Sequence, residues 1–163
     1  MKKILLLLCL LPLLSTTSCN TDDDNTPHNP IDQLPPLTTT GENTFGCLIN
    51  GEAFIVSNTS QQVAIYQQGQ LQFGGNGITM ILGDPLTVET LYDLNGQAEY
   101  LVDPNPQLGC HYEYEDAYDG YVIFSNIDTV NYIISGTFQF SSVNDDCETI
   151  NITNGRFDLQ YIP

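Results

Sequence analysis

The sequence has very few basic side chains and no tryptophan. Lys2, Lys3 and Arg156 are its only lysines and arginines, against 20 aspartates and glutamates, and the formal net charge is −17. Nucleic-acid binding depends on neutralising phosphates with lysine and arginine, so this composition argues against a nucleic-acid partner. The same charge disfavours direct binding to an anionic membrane surface and attracts cations or a basic protein.

The sequence also lacks a hydrophobic run long enough to span a bilayer. The apolar stretch 4–14 has eleven residues, whereas a spanning helix needs about 20. Lys2 and Lys3 precede this stretch and small polar residues follow it, which predicts a signal peptide over residues 1–18. The next residue, Cys19, resembles the lipobox cysteine of bacterial lipoproteins. We therefore expect a lipidated Cys19 that anchors the protein to a membrane; a secreted protein cleaved nearby is the alternative.

The residues after Cys19 indicate a destination. The run Asp22, Asp23 and Asp24 resembles the acidic export signal that sends Bacteroidota lipoproteins to the outer face of the outer membrane. Display at the cell surface is the expectation, and a periplasm-facing leaflet is the alternative. Residues 19–43 are rich in Asn, Asp, Thr and Pro and predict a disordered tether. The remaining residues, 44–163, suffice for one folded domain.

No segment has the 3.6-residue apolar period of an amphipathic helix over ten or more residues. Short β-rich runs instead alternate with Asn-Gly, Gly-Asp-Pro and Asp-rich breaks, which predicts a single antiparallel all-β domain of about nine or ten strands. Asn50-Gly51 is a strong hairpin signal between the first two runs. The strands must bury their apolar faces by forming a barrel or a two-sheet sandwich, and periodicity does not choose between them.

The C-terminal third predicts a four-strand meander. Its strands are expected at 110–115, 121–127, 132–142 and 149–161. In the last strand Ile150 and Ile152 have one parity, whereas Phe157 and Leu159 have the other. A one-residue β-bulge at Asn154-Gly155 keeps both pairs on the core side.

Three motifs together resemble a family of small, uncharacterised Bacteroidota lipoproteins. They are Thr44-Phe45-Gly46-Cys47-Leu48-Ile49-Asn50-Gly51, Ile134-Ser135-Gly136-Thr137-Phe138 and Asn154-Gly155-Arg156-Phe157-Asp158. The resemblance implies a surface or periplasmic lipoprotein with a small β domain. It implies no activity, and no functional residue is carried over from it.

Three cysteines remain after the signal peptide and Cys19: Cys47, Cys110 and Cys147. An oxidising compartment favours a disulfide among them. In a flat meander Cys110 and Cys147 fall in rows roughly 30 Å apart at about 3.3 Å per residue, too far for a bond. We therefore expect a bond between Cys47 and Cys110, and a bond between Cys47 and Cys147, or no bond, as alternatives.

One strand carries residue types that suit a metal or an acid–base pair. His111, Glu113 and Glu115 alternate in sequence and so share one face of the predicted strand. Asp116, Asp119 and the loop at 145–148 offer oxygen ligands for calcium, although Asp is also a common turn residue. A solvated strand face and ordinary turns are the competing interpretations, and no cofactor is required.

Two further signals concern carbohydrate. Tyrosines interleave with carboxylates from Tyr112 to Tyr121, an arrangement that suits sugar rings, although these tyrosines also fit core and turn positions. Asp128-Thr129-Val130 resembles the acceptor motif for O-glycosylation of exported Bacteroidota proteins, with Thr129 in a predicted hairpin turn.

The expected function is that of an outer-membrane-anchored, non-enzymatic binding or structural module that handles glycans or adheres to another surface protein. Two alternatives stay open. A small-ligand carrier needs an enclosed apolar cavity of about 300 Å³ or more. A carboxylate-based hydrolase needs two carboxylates, such as Glu113 and Glu115, that converge in a cleft.

Overall fold

The computed structural model describes residues 29–103, 105 and 109–163. The predicted signal peptide, Cys19 and the aspartates at positions 22–24 lie outside the described residues. Across these described ranges, no helix combines the length and apolarity that crossing a membrane requires.

The described chain is all-β, as predicted, and forms two antiparallel sheets rather than a barrel. The strands are β1 Thr44–Ile49, β2 Glu52–Val56, β3 Gln62–Gln67, β4 Gln70–Gly75, β5 Ile78–Gly83, β6 Leu91–Asp93, β7 Ala98–Leu101, β8 His111–Tyr112, β9 Ala117–Asp128, β10 Ile133–Ser142 and β11 Ile150–Gln160. One sheet has the order β2-β1-β11-β10-β9-β6 and the other β3-β4-β5-β7-β8. Short 3₁₀ turns occur at Pro30–Gln33, Thr59–Gln61 and Tyr114–Asp116.

Aromatic side chains join the two sheets into one sandwich core. Phe73 of β4 packs on Phe157 of β11 and on Phe124 of β9, with ring centroids 4.8 and 5.8 Å apart. All three rings are essentially inaccessible to solvent. Burying a side chain of this size contributes about 1.5–3 kcal/mol, and paired rings add about 0.5–1.5 kcal/mol. Because side chains alternate between the two faces of each strand, the inward-facing residues of both sheets meet in a single core between the sheets.

The residues in the two-residue turns determine where the first hairpins form. Asn50-Gly51 has positive φ at both residues, 50° and 89°, as the predicted two-residue hairpin turn requires. Asn76 and Gly77 have the same signs of φ and form the hairpin turn between β4 and β5. Gly74 and Gly75, which precede this turn, belong to β4.

The predicted bulge in β11 is confirmed. Gly46 pairs with Arg156 and Leu48 with Thr153, so one residue of β1 faces two residues of β11. Asn154 has φ 54° at this point. The extra residue reverses the parity of β11. Ile152, Phe157 and Leu159 consequently all contribute to the core.

The predicted four-strand meander and the predicted disulfide are both wrong, for one reason. Only β9, β10 and β11 form the meander, because β8 pairs with β7 in the other sheet. Cys110 therefore approaches Cys147 from across the sandwich rather than along one flat sheet. The bond is Cys110–Cys147, with the Cα atoms 6.0 Å apart. Cys47 is a buried free cysteine in β1.

The C-terminal residues return to the five-stranded sheet. After β11, Ile162 forms a parallel bridge with Ile65. Its N–H donates to Ala64 O at 2.9 Å, and its carbonyl accepts from Tyr66 N at 2.7 Å. This contact covers part of β3, an edge strand whose unpaired backbone would otherwise invite association.

Residues 34–43, the strap, cross the outer face of the six-stranded sheet. Leu34 is buried, and a Cβ at Gly46 would come within 2.8 Å of Pro35, so the two backbones pack closely. Further along, a Cβ at Gly41 would lie 3.1 Å from Ile133 and Gln160. The disordered tether predicted over 19–43 is therefore wrong for residues 29–43, and the rest of it lies outside the described residues.

A buried carboxylate of β11 holds the strap. Asp158 is 1% exposed and accepts hydrogen bonds from the backbone N–H groups of Thr40, Gly41 and Glu42 at 3.1, 2.9 and 3.1 Å. The Ser135 hydroxyl donates to the same carboxylate at 2.7 Å. Hydrogen bonds to a charged group contribute about 1.5–3 kcal/mol each, which compensates for burying the charge.

These contacts also determine the protonation of Asp158. Burial by itself raises the pKa of this carboxyl, but hydrogen bonds from Thr38, Ser135, Glu42 and Gly41 outweigh burial and hold the pKa below its ordinary value. The Thr38 hydroxyl is itself buried. Asp158 is thus an ionised anchor for the strap at neutral pH.

Candidate functional site

The structure does not assemble the predicted metal or acid–base set. Strand β8 ends at Tyr112, and Glu113 and Glu115 lie at the start of and within a 3₁₀ turn. They therefore do not share a strand face with His111, whose Nδ1 is 3.6 Å from Glu113 Oε1. Among the described residues no group of three or more His, Cys, Asp or Glu side chains is arranged to hold a metal ion.

The acidic residues of this region have structural contacts instead. The Asp116 carboxylate accepts the backbone N–H of Glu113 at 2.9 Å and the side-chain amide of Asn144 at 3.2 Å. These bonds fix the 3₁₀ turn beside the Cys110–Cys147 disulfide. Asp119 is exposed in β9 with φ 48°. The calcium site suggested by the sequence therefore has no support in this arrangement.

Two tyrosines of the predicted sugar-binding run belong to the interior or its margin. Tyr112 is 2% exposed, and its hydroxyl donates to the Glu148 carbonyl. Burial raises the pKa of the partly buried Tyr114, and the neighbouring Glu99 raises it further. Tyr118 is exposed on β9. These side chains therefore do not form one aromatic platform.

Tyr121, the last tyrosine of that run, lines a polar groove on the outer face of the six-stranded sheet. The groove has a volume of about 260 Å³. Its floor consists of outward-facing residues from β9, β10 and β11, and its wall is Leu37 of the strap. We call this the Arg156 groove; its lining side chains are Leu37, Tyr121, Thr137, Gln139, Asn154 and Arg156.

Strand register brings the floor of the groove together. Tyr121 pairs with Gln139 across β9 and β10, and Thr137 pairs with Arg156 across β10 and β11. Because opposite residues in an antiparallel pair project from the same face, these four side chains point outward as two adjacent rows. The bulge places Asn154 beside them.

Arg156 contacts the strap and forms no salt bridge within the described ranges. One guanidinium nitrogen, Nη1, donates to the Pro35 carbonyl at 3.0 Å. A guanidinium has five N–H donors, so this contact leaves several of them free to face the groove.

The other polar side chains of the groove differ from Arg156, which has one protein partner. Across the residues that the structure describes, no side-chain hydrogen bond to another protein group involves Tyr121, Thr137, Gln139 or Asn154. Together with Arg156 they present amide, hydroxyl and guanidinium donors, and amide and hydroxyl acceptors. The Tyr121 ring and Leu37 add apolar surface. Such a combination of polar groups and a few apolar contacts characterises ligand pockets.

A larger groove at the sandwich edge differs in this respect. Its volume is about 350 Å³, and Gln62 and Asn43 are among its lining residues. The Gln62 amide already donates to the carbonyls of Asn43 and Val56 at 2.8 and 3.0 Å. The Asn43 side chain accepts from Gln160 N at 3.0 Å. These amides hold the chain together and are not available to a ligand.

Thr129 is exposed in the turn between β9 and β10. The turn is fixed by Asp128, whose Oδ1 accepts from the N–H groups of Val130 and Asn131 at 2.8 and 2.9 Å. Hydrogen bonds from Asn131 and Val130 lower the pKa of Asp128. The Thr129 hydroxyl thus lies in an accessible, ordered turn, and its O-glycosylation stays a prediction.

The Cys47 thiol is expected to be unreactive in the folded protein. Its side chain is inaccessible, and burial raises the pKa of its thiol to about 12. Because the thiolate is the reactive form, we expect no nucleophilic chemistry from it.

Comparisons with protein-family models, with curated protein sequences and with solved structures found no match to this chain. Its class therefore rests on its own fold: an acidic two-sheet β-sandwich with an ordered N-terminal strap.

Sequence reasoning missed the Arg156 groove, although one signal pointed to it. Arg156 is the only lysine or arginine after Lys3, and a lone guanidinium in so acidic a chain is notable when it forms no salt bridge with any carboxylate that the structure describes. The strap that forms the wall of the groove was assigned to a tether, so the sequence pattern did not predict a groove on this face of the sheet.

Proposed function

We propose that this protein is a lipid-anchored, non-catalytic module that binds a neutral saccharide unit in the Arg156 groove. The observation that carries the proposal is that Tyr121, Thr137, Gln139 and Asn154 of that groove make no side-chain hydrogen bond to any other described protein group. Sugar hydroxyls both donate and accept hydrogen bonds, and they match a surface that offers both kinds of group. The Tyr121 ring provides a face on which the C–H side of a sugar can stack.

The charge of the protein favours a neutral ligand. With a formal net charge of −17, the protein repels acidic polysaccharides over distances set by the Debye length, about 8 Å at physiological ionic strength. Arg156 alone does not reverse that field. It is better suited to donating hydrogen bonds to hydroxyl oxygens at close range than to attracting a polyanion.

The size of the groove favours a short ligand. Its volume of about 260 Å³ is slightly below the range of about 300–1,000 Å³ typical of pockets for drug-sized molecules. One sugar ring, or the end of a chain, is the ligand that this volume suits. The concavity is shallow, and we expect affinity in the range of weak, reversible binding.

A glycan array screened with the purified protein tests the proposal, followed by isothermal titration with a neutral sugar that binds. Tyr121→Leu and Gln139→Ala should each weaken binding about fivefold, the effect of losing about 1 kcal/mol. Tyr118→Leu on β9 and Gln72→Ala on the other sheet are matched controls and should bind like the wild type. Absence of binding to every neutral glycan, or equal losses in both pairs of variants, would contradict the proposal.

The anchor forms the second part of the proposal. The leader pattern over residues 1–18, Cys19 and the aspartates at 22–24 support acylation and display at the outer membrane surface. Mass spectrometry of the protein extracted from membranes should find a lipidated Cys19 as the first residue, and Cys19→Ser should release the protein from the membrane fraction. An unacylated N-terminus would contradict this part without affecting the saccharide site.

A further inference from the structure

A second cavity opens at one end of the sandwich, between the two sheets. It has a volume of about 160 Å³ and lies where β3, β5, β9 and β11 end and where β4 and β10 begin. We call it the Tyr161 pocket; its lining residues are Tyr66, Leu71, Asp84, Leu86, Ile127, Thr129, Ile134 and Tyr161. It shares no lining residue with the Arg156 groove.

Aromatic rings form one side of this pocket. Tyr66 and Tyr161 meet edge to face with centroids 6.3 Å apart. Tyr132 packs on the other side of Tyr161 at 5.6 Å. These contacts fix the orientation of Tyr161, whose ring is only partly buried. Two tyrosine rings, held by their neighbours, therefore line a small opening to solvent.

A carboxylate stands at the mouth of the same pocket. The Tyr66 hydroxyl donates to Asp84, so the carboxylate is fixed beside the rings. This bond is the main reason why the pKa of Tyr66 is raised, and it keeps the phenol neutral. Asp128 lies close enough to Tyr161 to contribute to the raised pKa of that residue. One carboxylate thus lines the pocket beside Tyr66, and a second lies near Tyr161.

Nothing basic balances these charges within the described chain. Arg156 is the only lysine or arginine after Lys3, and it lies on the outer face of the six-stranded sheet. The pocket is therefore a site of negative potential with apolar walls from Leu71, Leu86 and Ile134. Low-dielectric walls of this kind concentrate the field and raise the local concentration of cations.

The volume limits the occupant to a small group. An engineered apolar cavity of about 150 Å³ in another protein holds one benzene molecule, so about 160 Å³ accommodates a ligand of similar bulk. A metal ion does not suit the pocket, because Asp84 is the one carboxylate among its lining residues and a calcium ion takes six to eight oxygen ligands. Alkylated ammonium groups suit such surroundings, since their charge is spread over methyl groups that pack against aromatic faces.

We propose that the Tyr161 pocket binds an organic ammonium ion, with its methylated or alkyl head against Tyr66 and Tyr161 and its charge beside Asp84. The site is independent of the proposed saccharide site and of the membrane anchor. Ammonium recognition by aromatic side chains plus a carboxylate explains why tyrosines, a carboxylate and aliphatic residues from both sheets converge at this end of the sandwich.

Titration with tetramethylammonium tests the proposal. The aromatic NMR signals of Tyr66 and Tyr161 report on the pocket directly. We expect saturable binding that tert-butanol, a neutral molecule of similar shape, does not reproduce. Tyr161→Leu and Asp84→Asn should each weaken binding about five- to tenfold, whereas Tyr161→Phe, which keeps the ring, should bind like the wild type.

Matched controls separate this site from a general effect of charge. Asp119→Asn and Tyr118→Leu remove a carboxylate and a ring outside the pocket and should leave tetramethylammonium binding unchanged. Thermal unfolding confirms that each variant is folded. The proposal is overturned by an absence of saturable binding, by equal binding of tert-butanol, or by a loss in Asp119→Asn as large as that in Asp84→Asn.

Discussion

Asp158 accepts a hydrogen bond from the backbone N–H of Gly41 at 2.9 Å, although the two residues are 117 positions apart in the chain. This contact joins the N-terminal strap to the last strand of the sandwich. Because the strap also forms the wall of the Arg156 groove, the Asp158 contact supports the proposed ligand site from a distance.

Replacing Asp158 with Asn should destabilise the fold and loosen the strap. The neutral amide keeps the size of the side chain but weakens the hydrogen bonds from Thr40, Gly41 and Glu42. We expect the free energy of unfolding to fall by about 1–3 kcal/mol and hydrogen exchange at these three amides to accelerate. Urea unfolding and exchange measured by NMR are the tests. Asp145→Asn, in an exposed loop, is the control; an equal loss there would refute a specific role for Asp158.

The contribution of Asp158 should also depend on pH. Its pKa in the folded protein lies below the ordinary value of 3.8, so ionised Asp158 stabilises the folded state above that value. The stabilisation is fully present at neutral pH and should be lost as the pH falls below about 4, through the lowered pKa. The stability difference between wild type and Asp158→Asn should therefore be constant from pH 7 to about 5 and shrink below about 4. A difference that grows on acidification would contradict this sign.

The Cys110–Cys147 disulfide should contribute substantially to stability. It links residues 37 positions apart, and the chain-entropy model assigns a loop of that length about 4 kcal/mol. The double variant Cys110→Ser, Cys147→Ser should show a loss of this order in urea unfolding. Cys47→Ala, which leaves the disulfide intact, separates this effect from the general cost of changing a cysteine. A double variant as stable as the wild type would contradict the account.

Native thiol labelling should modify no cysteine among the described residues. Cys110 and Cys147 are bonded, and Cys47 is buried, with its pKa raised to about 12. A maleimide should therefore react with Cys47 only after unfolding, as measured by intact mass. Rapid modification of the folded, non-reduced protein at Cys110 or Cys147 would show that the observed pairing is wrong.

Local signals in the sequence predicted much of the sandwich. The bounds of β1 and β2 follow directly from the alternation around Asn50-Gly51, because that dipeptide adopts the turn without help from the rest of the chain. The bulge at Asn154-Gly155 was predictable for a similar reason: a change of parity within one strand leaves core residues on the wrong face unless one residue is added.

Contacts between distant parts of the chain were not predictable in the same way. The strap is polar and rich in proline, so its composition resembles that of a tether, and its order depends on a carboxylate in the last strand. The pairing of Cys110 with Cys147 depends on β8 belonging to the opposite sheet. Strand β8 has only two residues, His111 and Tyr112. Their side chains alternate between inward and outward in the same way in either sheet, so the sequence pattern does not show which sheet β8 joins.

The candidate site combines both kinds of information. The alternation of apolar and polar residues along β9, β10 and β11 already indicated that Tyr121, Gln139 and Arg156 face outward. The sequence did not predict the wall at Leu37, because the strap was assigned to the tether. A row of polar residues on an open strand face has no concavity, so the groove exists only because the strap crosses this face.

The most direct test of the central claim is NMR mapping of an isotope-labelled protein titrated with a panel of neutral mono- and disaccharides. The account predicts that at least one sugar causes saturable shifts at Tyr121, Thr137, Gln139, Asn154 and Arg156 and at Leu37 of the strap. Shifts confined to another surface, or no saturable shift with any sugar of the panel, would contradict it.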